Sequence, residues 1–190
     1  MNRRIALRHL ALISGGLALI PSCDFSAEDI LAAYNNLKVT ASQKQLLGEI
    51  SDAIIPAGEL KGALDLEVPD FILVMVNDCL SSENQTLFTS GLAAFSDFAK
   101  NQGGKKFGKL STKEKENLIQ AGIDLQPAEN AEGEKDSAVS YFLNTTKRLT
   151  MQGYMASEYI QTEIIPFSLI PGPYNGSALI SETQKSRING

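Results

Sequence analysis

Three times along this chain a hydroxyl residue stands three places ahead of a glutamine or glutamate at the head of an apolar run: Thr40 with Gln43, Ser82 with Gln85, and Ser111 with Glu114. At that spacing the hydroxyl accepts from the backbone N–H three residues on, and the longer side chain reaches back to the first N–H. Two of the donors that a helix start leaves without partners are satisfied together. Behind these starts, apolar residues recur three and four apart, which places them on one face of a helix. The predicted fold class is all-α: a compact multi-helix domain with an irregular Pro/Gly-rich C-terminal segment, preceded by a signal peptide.

The first of these helices buries Leu46, Leu47, Ile50 and Ile54 and stops before Pro56. Ala57 to Leu66, with Gly58 and Gly62, is expected to be a loop. Pro69 suits the first turn of a helix carrying Phe71, Ile72, Val74, Met75 and Val76, apolar all round and so expected at the domain centre. The helix opened by Ser82 carries Leu87, Phe88, Leu92, Phe95 and Phe98 and ends at Gly103 and Gly104. Ser111 opens a shorter one with Leu118 and Ile119. Gly122 to Asp136 is polar and punctuated by Pro and Gly, which predicts a surface loop. Helical spacing resumes at Ser137 with Val139, Phe142, Thr146 and Leu149, and Gly153 is expected to bend or interrupt it. Beyond Pro166, Pro171, Gly172, Pro173 and Gly176 impose turns.

Ahead of this body lies a segment of different chemistry. Arg3, Arg4 and Arg8 precede an apolar stretch from Leu10 to Ile20, and small Ser22 precedes Cys23. As a helix that stretch would span about 16 Å at 1.5 Å per residue, short of a hydrocarbon core of ~30 Å, so it reads as an export signal. Paired Arg3 and Arg4, with Leu7 three positions later, resemble a twin-arginine signal, which exports proteins already folded. Ile20-Pro21-Ser22-Cys23 resembles a lipoprotein box in which Cys23 would be lipidated. The chain then divides into a signal peptide (1–22), a tether with a short helix from about Ala27 to Leu37 (23–39), a helical domain (40–176) and a tail (177–190). Removing Arg3, Arg4 and Arg8 from the 17 basic residues leaves 14 against 22 acidic ones, a net charge of −8. A body that acidic repels the phosphates of nucleic acid.

Few residues could carry chemistry. The only histidine, His9, lies in the signal, leaving the body without an imidazole for a triad, a haem ligand or a His-containing zinc site. Two cysteines cannot hold a four-thiolate cluster. Asp52, Glu59, Asp65, Glu67 and Asp70 crowd one region, but their spacing fits no calcium loop, and solvated carboxylates are the simpler reading. Gly103-Gly104-Lys105-Lys106 lacks phosphate-loop spacing and reads as a helix stop with a basic patch. Cys79, at the end of the most apolar helix, is expected to be a buried free thiol, with pairing to another chain's cysteine as the alternative in an oxidising compartment.

Four stretches together resemble one family: Ile50-Ser51-Asp52-Ala53-Ile54-Ile55-Pro56, Val68-Pro69-Asp70-Phe71-Ile72, Leu149-Thr150-Met151-Gln152-Gly153-Tyr154-Met155-Ala156-Ser157-Glu158, and Pro171-Gly172-Pro173-Tyr174-Asn175-Gly176. In order and spacing they look like subunit 3 of the gluconate 2-dehydrogenase family, the small gamma-type subunit of periplasmic FAD-dependent sugar or polyol dehydrogenases. The resemblance runs from about Gln43 to Gly176. Many relatives carry cysteine where Ser177 stands, so an inter-subunit disulfide there is not implied.

The resemblance implies an accessory chain. It binds no cofactor itself; FAD sits in a glucose-methanol-choline-type large subunit, and a cytochrome c subunit often carries electrons onward. This chain would bind the large subunit, assist its maturation and supply the twin-arginine signal that takes the complex to the periplasm, with membrane contact only through the signal or a lipid on Cys23. Pro171, Gly172, Pro173, Tyr174, Asn175 and Gly176 have the makings of a preorganised recognition loop, stiffened by two prolines and carrying an aromatic anchor. The alternative is a plain turn with Tyr174 packed on the chain's own helices. A stand-alone exported lipoprotein with a structural or binding role would share the same signal, and a flavoprotein gene alongside separates the two readings. An enzyme acting alone is the remaining class.

Overall fold

The structure, a computed structural model, describes residues 34–125, 131–165 and 177. Five α-helices and two short turns make up the described body: α1 (Ala41–Ile54), α2 (Val68–Cys79), α3 (Ser82–Gly103), a 3-10 turn (Phe107–Lys109), α4 (Thr112–Ile123), α5 (Ala131–Ala156) and a π-turn (Ile160–Ile164). No strand occurs among the described residues. The all-α expectation holds. The predicted signal, most of the tether, and the Pro/Gly-rich segment from Pro166 onward lie outside the described residues.

α5 is the hub. It packs against each of the other four helices and most extensively against α3. Its buried side chains, Val139, Phe142, Leu143, Thr146, Leu149 and Thr150, recur at the three-to-four spacing that keeps one stripe facing inward. Aromatic rings fill the α3–α5 seam, with Phe142 5.1 Å from Phe88 and 5.9 Å from Phe95 between centroids. Phe95 also meets Phe107 edge-on at 5.3 Å, joining the 3-10 turn to the same core. Gly91 makes the close crossing possible: a Cβ there would fall 2.1 Å from the Ala138 carbonyl oxygen.

Two of the three expected capping boxes form. The Gln43 N–H donates to Thr40 Oγ1 at 3.3 Å and the Thr40 N–H to Gln43 Oε1 at 3.0 Å, and Ser111 and Glu114 do the same at the head of α4. The third is corrected. Ser81 caps α3, accepting from the Asn84 N–H, while Ser82 is already helical. Gln85 faces backwards instead, its amide nitrogen donating to the carbonyls of Val76 (3.2 Å), Asn77 (2.8 Å) and Leu80 (3.2 Å). Only Leu80 and Ser81 separate α2 from α3, so the free carbonyls ending α2 lie within reach and outcompete the cap.

Other expectations are met or revised in the same terms. α1 ends at Ile54 ahead of Pro56, Pro69 lies in the first turn of α2, and Gly104 closes α3 in the left-handed conformation (φ 67°) with its N–H on the Lys100 carbonyl. α2, however, is not apolar all round in its setting. Val68, Pro69, Ile72, Leu73 and Val76 are buried, but Val74 is 45% exposed. Cys79, expected to be buried, is exposed too, at the last residue of α2. The loop expected from Gly122 to Asp136 is shorter. α4 runs to Ile123 and α5 starts at Ala131, where Ala131, Glu132, Glu134 and Lys135 favour helix enough to carry Gly133. Gly153 does not interrupt α5: it is buried against the Phe71 ring, and packing offsets the ~1 kcal/mol that glycine costs a helix.

Candidate docking surface

The residues expected to carry export and recognition, Arg3, Arg4, Cys23 and Pro171 to Gly176, all lie outside the described residues. The other three stretches of the family pattern are described, and they converge. Ile55, in the first, accepts from the Ala63 N–H at 2.9 Å; Ala63 in turn accepts from Val68, which begins the second, at 3.1 Å. Phe71, in that second stretch, lies against Gly153 of the third, where a Cβ would fall 2.6 Å from the ring. The Tyr154 hydroxyl donates to the Lys61 carbonyl at 2.9 Å, and the Lys61 ammonium sits 4.7 Å above the Tyr159 ring. Residues distant in sequence thus meet around the loop that joins α1 to α2.

That loop is held from within. Gly58 donates to the Leu60 carbonyl and Gly62 to Asp65 Oδ2, both at 2.9 Å. The chain doubles back so closely that a Cβ on Gly62 would fall 2.5 Å from the Ala57 nitrogen. Glu67 leads into α2 with a left-handed backbone (φ 52°) and no side-chain cap. A non-glycine residue in that region costs of order 1 kcal/mol or more, which the surrounding bonds offset.

On this rigid base, large apolar side chains face solvent. Leu60 and Leu64 flank Lys61 in the loop at 44% and 53% exposure. Met151 and Met155, at 50% and 41%, lie one helical turn before and one residue after Tyr154, which ties α5 to the loop. The leucines belong to the loop, with Leu64 over Gly48 of α1, and the adaptable methionines to the helix that Tyr154 ties to that loop; apolar side chains left in solvent are contact groups and perform no acid–base chemistry. Sequence reading missed it. The available signal was Met151 and Met155 at i and i+4, opposite buried Leu149 and Gly153.

Beside it, α2 receives the chain arriving at α1. The Tyr34 hydroxyl donates to Asp70 Oδ1 at 2.6 Å and the Lys44 ammonium to the same oxygen at 2.5 Å. Asn36 donates twice to Asn77, about two turns further along α2. Burial, then the hydrogen bond to Asp70 and its charge, push the Tyr34 hydroxyl up to about 12. Burial pushes the Asp70 carboxyl up, but hydrogen bonds from Lys44 and Tyr34 together with the Lys44 charge outweigh it and hold the group below its ordinary value. The acidic residues singled out in sequence are therefore dispersed into separate duties. Asp65 fastens the loop and Asp70 the clasp, and among the described residues no three metal-ligating side chains gather. Among the same residues no helix is long and apolar enough to cross a membrane.

The family model described as gluconate 2-dehydrogenase subunit 3 matches residues 41–172. The chain belongs to the gluconate 2-dehydrogenase subunit 3 family. The match opens on the first residue of α1, takes in all three converging stretches, and ends inside the Pro171 to Gly176 segment. No curated protein and no solved structure matches the chain. As a subunit 3 it is part of a dehydrogenase complex, so an exposed apolar surface on a rigid base has a physical reason to exist.

Proposed function

We propose that this subunit 3 is the non-catalytic small chain of an exported FAD-dependent dehydrogenase complex of the gluconate, glucose or polyol type. It binds the flavoprotein large subunit, assists its maturation and supplies the twin-arginine signal that carries both chains to the periplasm, with FAD, and haem c where a cytochrome subunit is present, held by the partners. The observation that carries this reading is the family match over residues 41–172. The Arg3-Arg4 signal supports the export role, since a flavoprotein loaded with FAD in the cytoplasm must leave it folded. The exposed Leu60, Leu64, Met151 and Met155 form the docking face, and the two methionines lie in the third of the stretches that mark the family.

The test is co-purification through a tag on this chain. The wild type brings down a yellow flavoprotein. Met151→Glu with Met155→Glu places two charges where the partner's apolar surface would lie and lowers recovery by about tenfold or more, while circular dichroism stays unchanged because both side chains are exposed. Recovery of no flavoprotein by the wild type overturns the proposal, and full recovery by the double variant moves the docking face elsewhere.

A further inference from the structure

Charge along this acidic chain is unevenly spread. Between residues 41 and 99 nine acidic residues accompany only Lys44 and Lys61, whereas residues 100 to 115 hold Lys100, Lys105, Lys106, Lys109, Lys113 and Lys115 with the single acid Glu114. The fold turns this run into a wall. α3 ends at Gly103, the 3-10 turn follows, and the turn packs against both α1 and α3. Between them lies a groove of about 520 Å³, in which Lys100, Lys106 and Lys109 stand around the half-buried Leu46, with the buried Phe107 beneath. Its one carboxylate, Glu49, lies against Gly108 and is hydrogen-bonded by Gln45 at 3.3 Å.

The lysines of this groove are largely uncommitted. Lys100 is 3.5 Å from Asp97 in a pair whose side chains are 52% and 81% exposed, and Lys106 and Lys109 have no ion-pair partner among the described residues. An exposed pair of that kind contributes little and is easily exchanged for another carboxylate.

We propose that the groove between α1, the end of α3 and the 3-10 turn takes a short acidic segment of another protein chain, with carboxylates on Lys100, Lys106 and Lys109 and an apolar side chain against Leu46. Charge complementarity selects the occupant. A long polyanion or an anionic bilayer meets the whole molecule, whose net charge is −5, and is repelled. A short segment inside a concave site sees only charges within a Debye length of about 8 to 10 Å, and there the lysines dominate. The recess also favours a chain that can insert a side chain over a flat surface. Only the identity of the chain bearing the segment, the large subunit, rests on the function proposed above; the groove's preference is tested on this chain alone.

The experiment titrates the full chain with a short capped peptide of glutamates around one leucine, and with its glutamine counterpart, following backbone amide resonances. The acidic peptide should shift Phe107, Gly108 and Lys109, and its affinity should fall roughly tenfold between about 50 mM and about 300 mM salt. Lys106→Glu with Lys109→Glu should abolish binding without changing the circular dichroism, while Lys113→Glu, in the same basic run but outside the groove, should cost several-fold less. Equal binding of the glutamine peptide, an equal loss with Lys113→Glu, or tighter binding to phosphatidylglycerol vesicles or duplex DNA than to the peptide would each overturn the proposal. Failure to co-purify a flavoprotein would leave these outcomes unaffected.

Discussion

Tyr34 and Asp70 share one hydrogen bond of 2.6 Å across 36 residues of sequence, and through it the chain arriving from the N-terminus is fastened to α2 before α1 begins. Tyr34, Leu37 and Val39 are buried in the same core as α1 and α2, although all three precede the span that marks the family.

This clasp sets a pH window. Asp70 titrates below its ordinary 3.8 in the folded chain, so its contribution is present above that value and is lost as pH falls through the folded one. Tyr34 is raised from 10.0 to about 12, so its contribution is complete below 10 and is lost as pH rises toward 12. Melting temperature against pH should show both limbs. Asp70→Asn should flatten the acid limb only modestly, since the Asp70 side chain is 42% exposed and partly screened. Tyr34→Phe should remove its share of the alkaline limb and cost about 1 kcal/mol at neutral pH, the net worth of one such bond.

Gly91 should tolerate no side chain. Its missing Cβ lets α3 lie against the Ala138 carbonyl and Phe142 Cβ, atoms of the hub helix that cannot swing away. Gly91→Ala gains about 1 kcal/mol of helix propensity, but the clash should cost more, for a net loss of roughly 1 to 3 kcal/mol in thermal or urea melts. A variant as stable as the wild type would mean that α3 and α5 cross further apart.

Arg3→Lys with Arg4→Lys should leave both this chain and its flavoprotein partner in the cytoplasm, since the proposed function has one paired-arginine signal serve both chains. Cell fractionation with antibodies to each chain reads the result. Normal periplasmic arrival of both would end the shared-signal idea.

Tyr174→Ala should weaken co-purification of the flavoprotein by about thirtyfold, the effect of losing an aromatic anchor worth ~2 kcal/mol, with helical content and melting temperature nearly unchanged. A variant that melts several degrees lower yet binds fully once folded would assign Tyr174 to the core. Recognition would then rest on the Leu60, Leu64, Met151 and Met155 face alone.

Helix identity was legible from local chemistry, because its signals act within a turn or two of chain. Thr40 with Gln43, Ser111 with Glu114, Pro69 in a first turn and Gly104 after a last one each act on neighbouring backbone groups, and each is where the periodicity predicted. Tertiary structure decided matters that depend on what a residue meets. Gln85 left its expected cap because the α2 carbonyls came within reach, Gly153 stayed helical because Phe71 packs on it, and Cys79, at the end of the most apolar helix, is nevertheless exposed. The candidate surface is of this second kind. In sequence Leu60 and Leu64 fall in the expected Ala57 to Leu66 loop, Met151 and Met155 in a stretch of the family pattern, and the basic run reads as a helix stop with a basic patch. Periodicity ranks the faces of a helix by polarity, but only the arrangement of neighbouring elements determines which apolar side chains are covered and which charges line a groove.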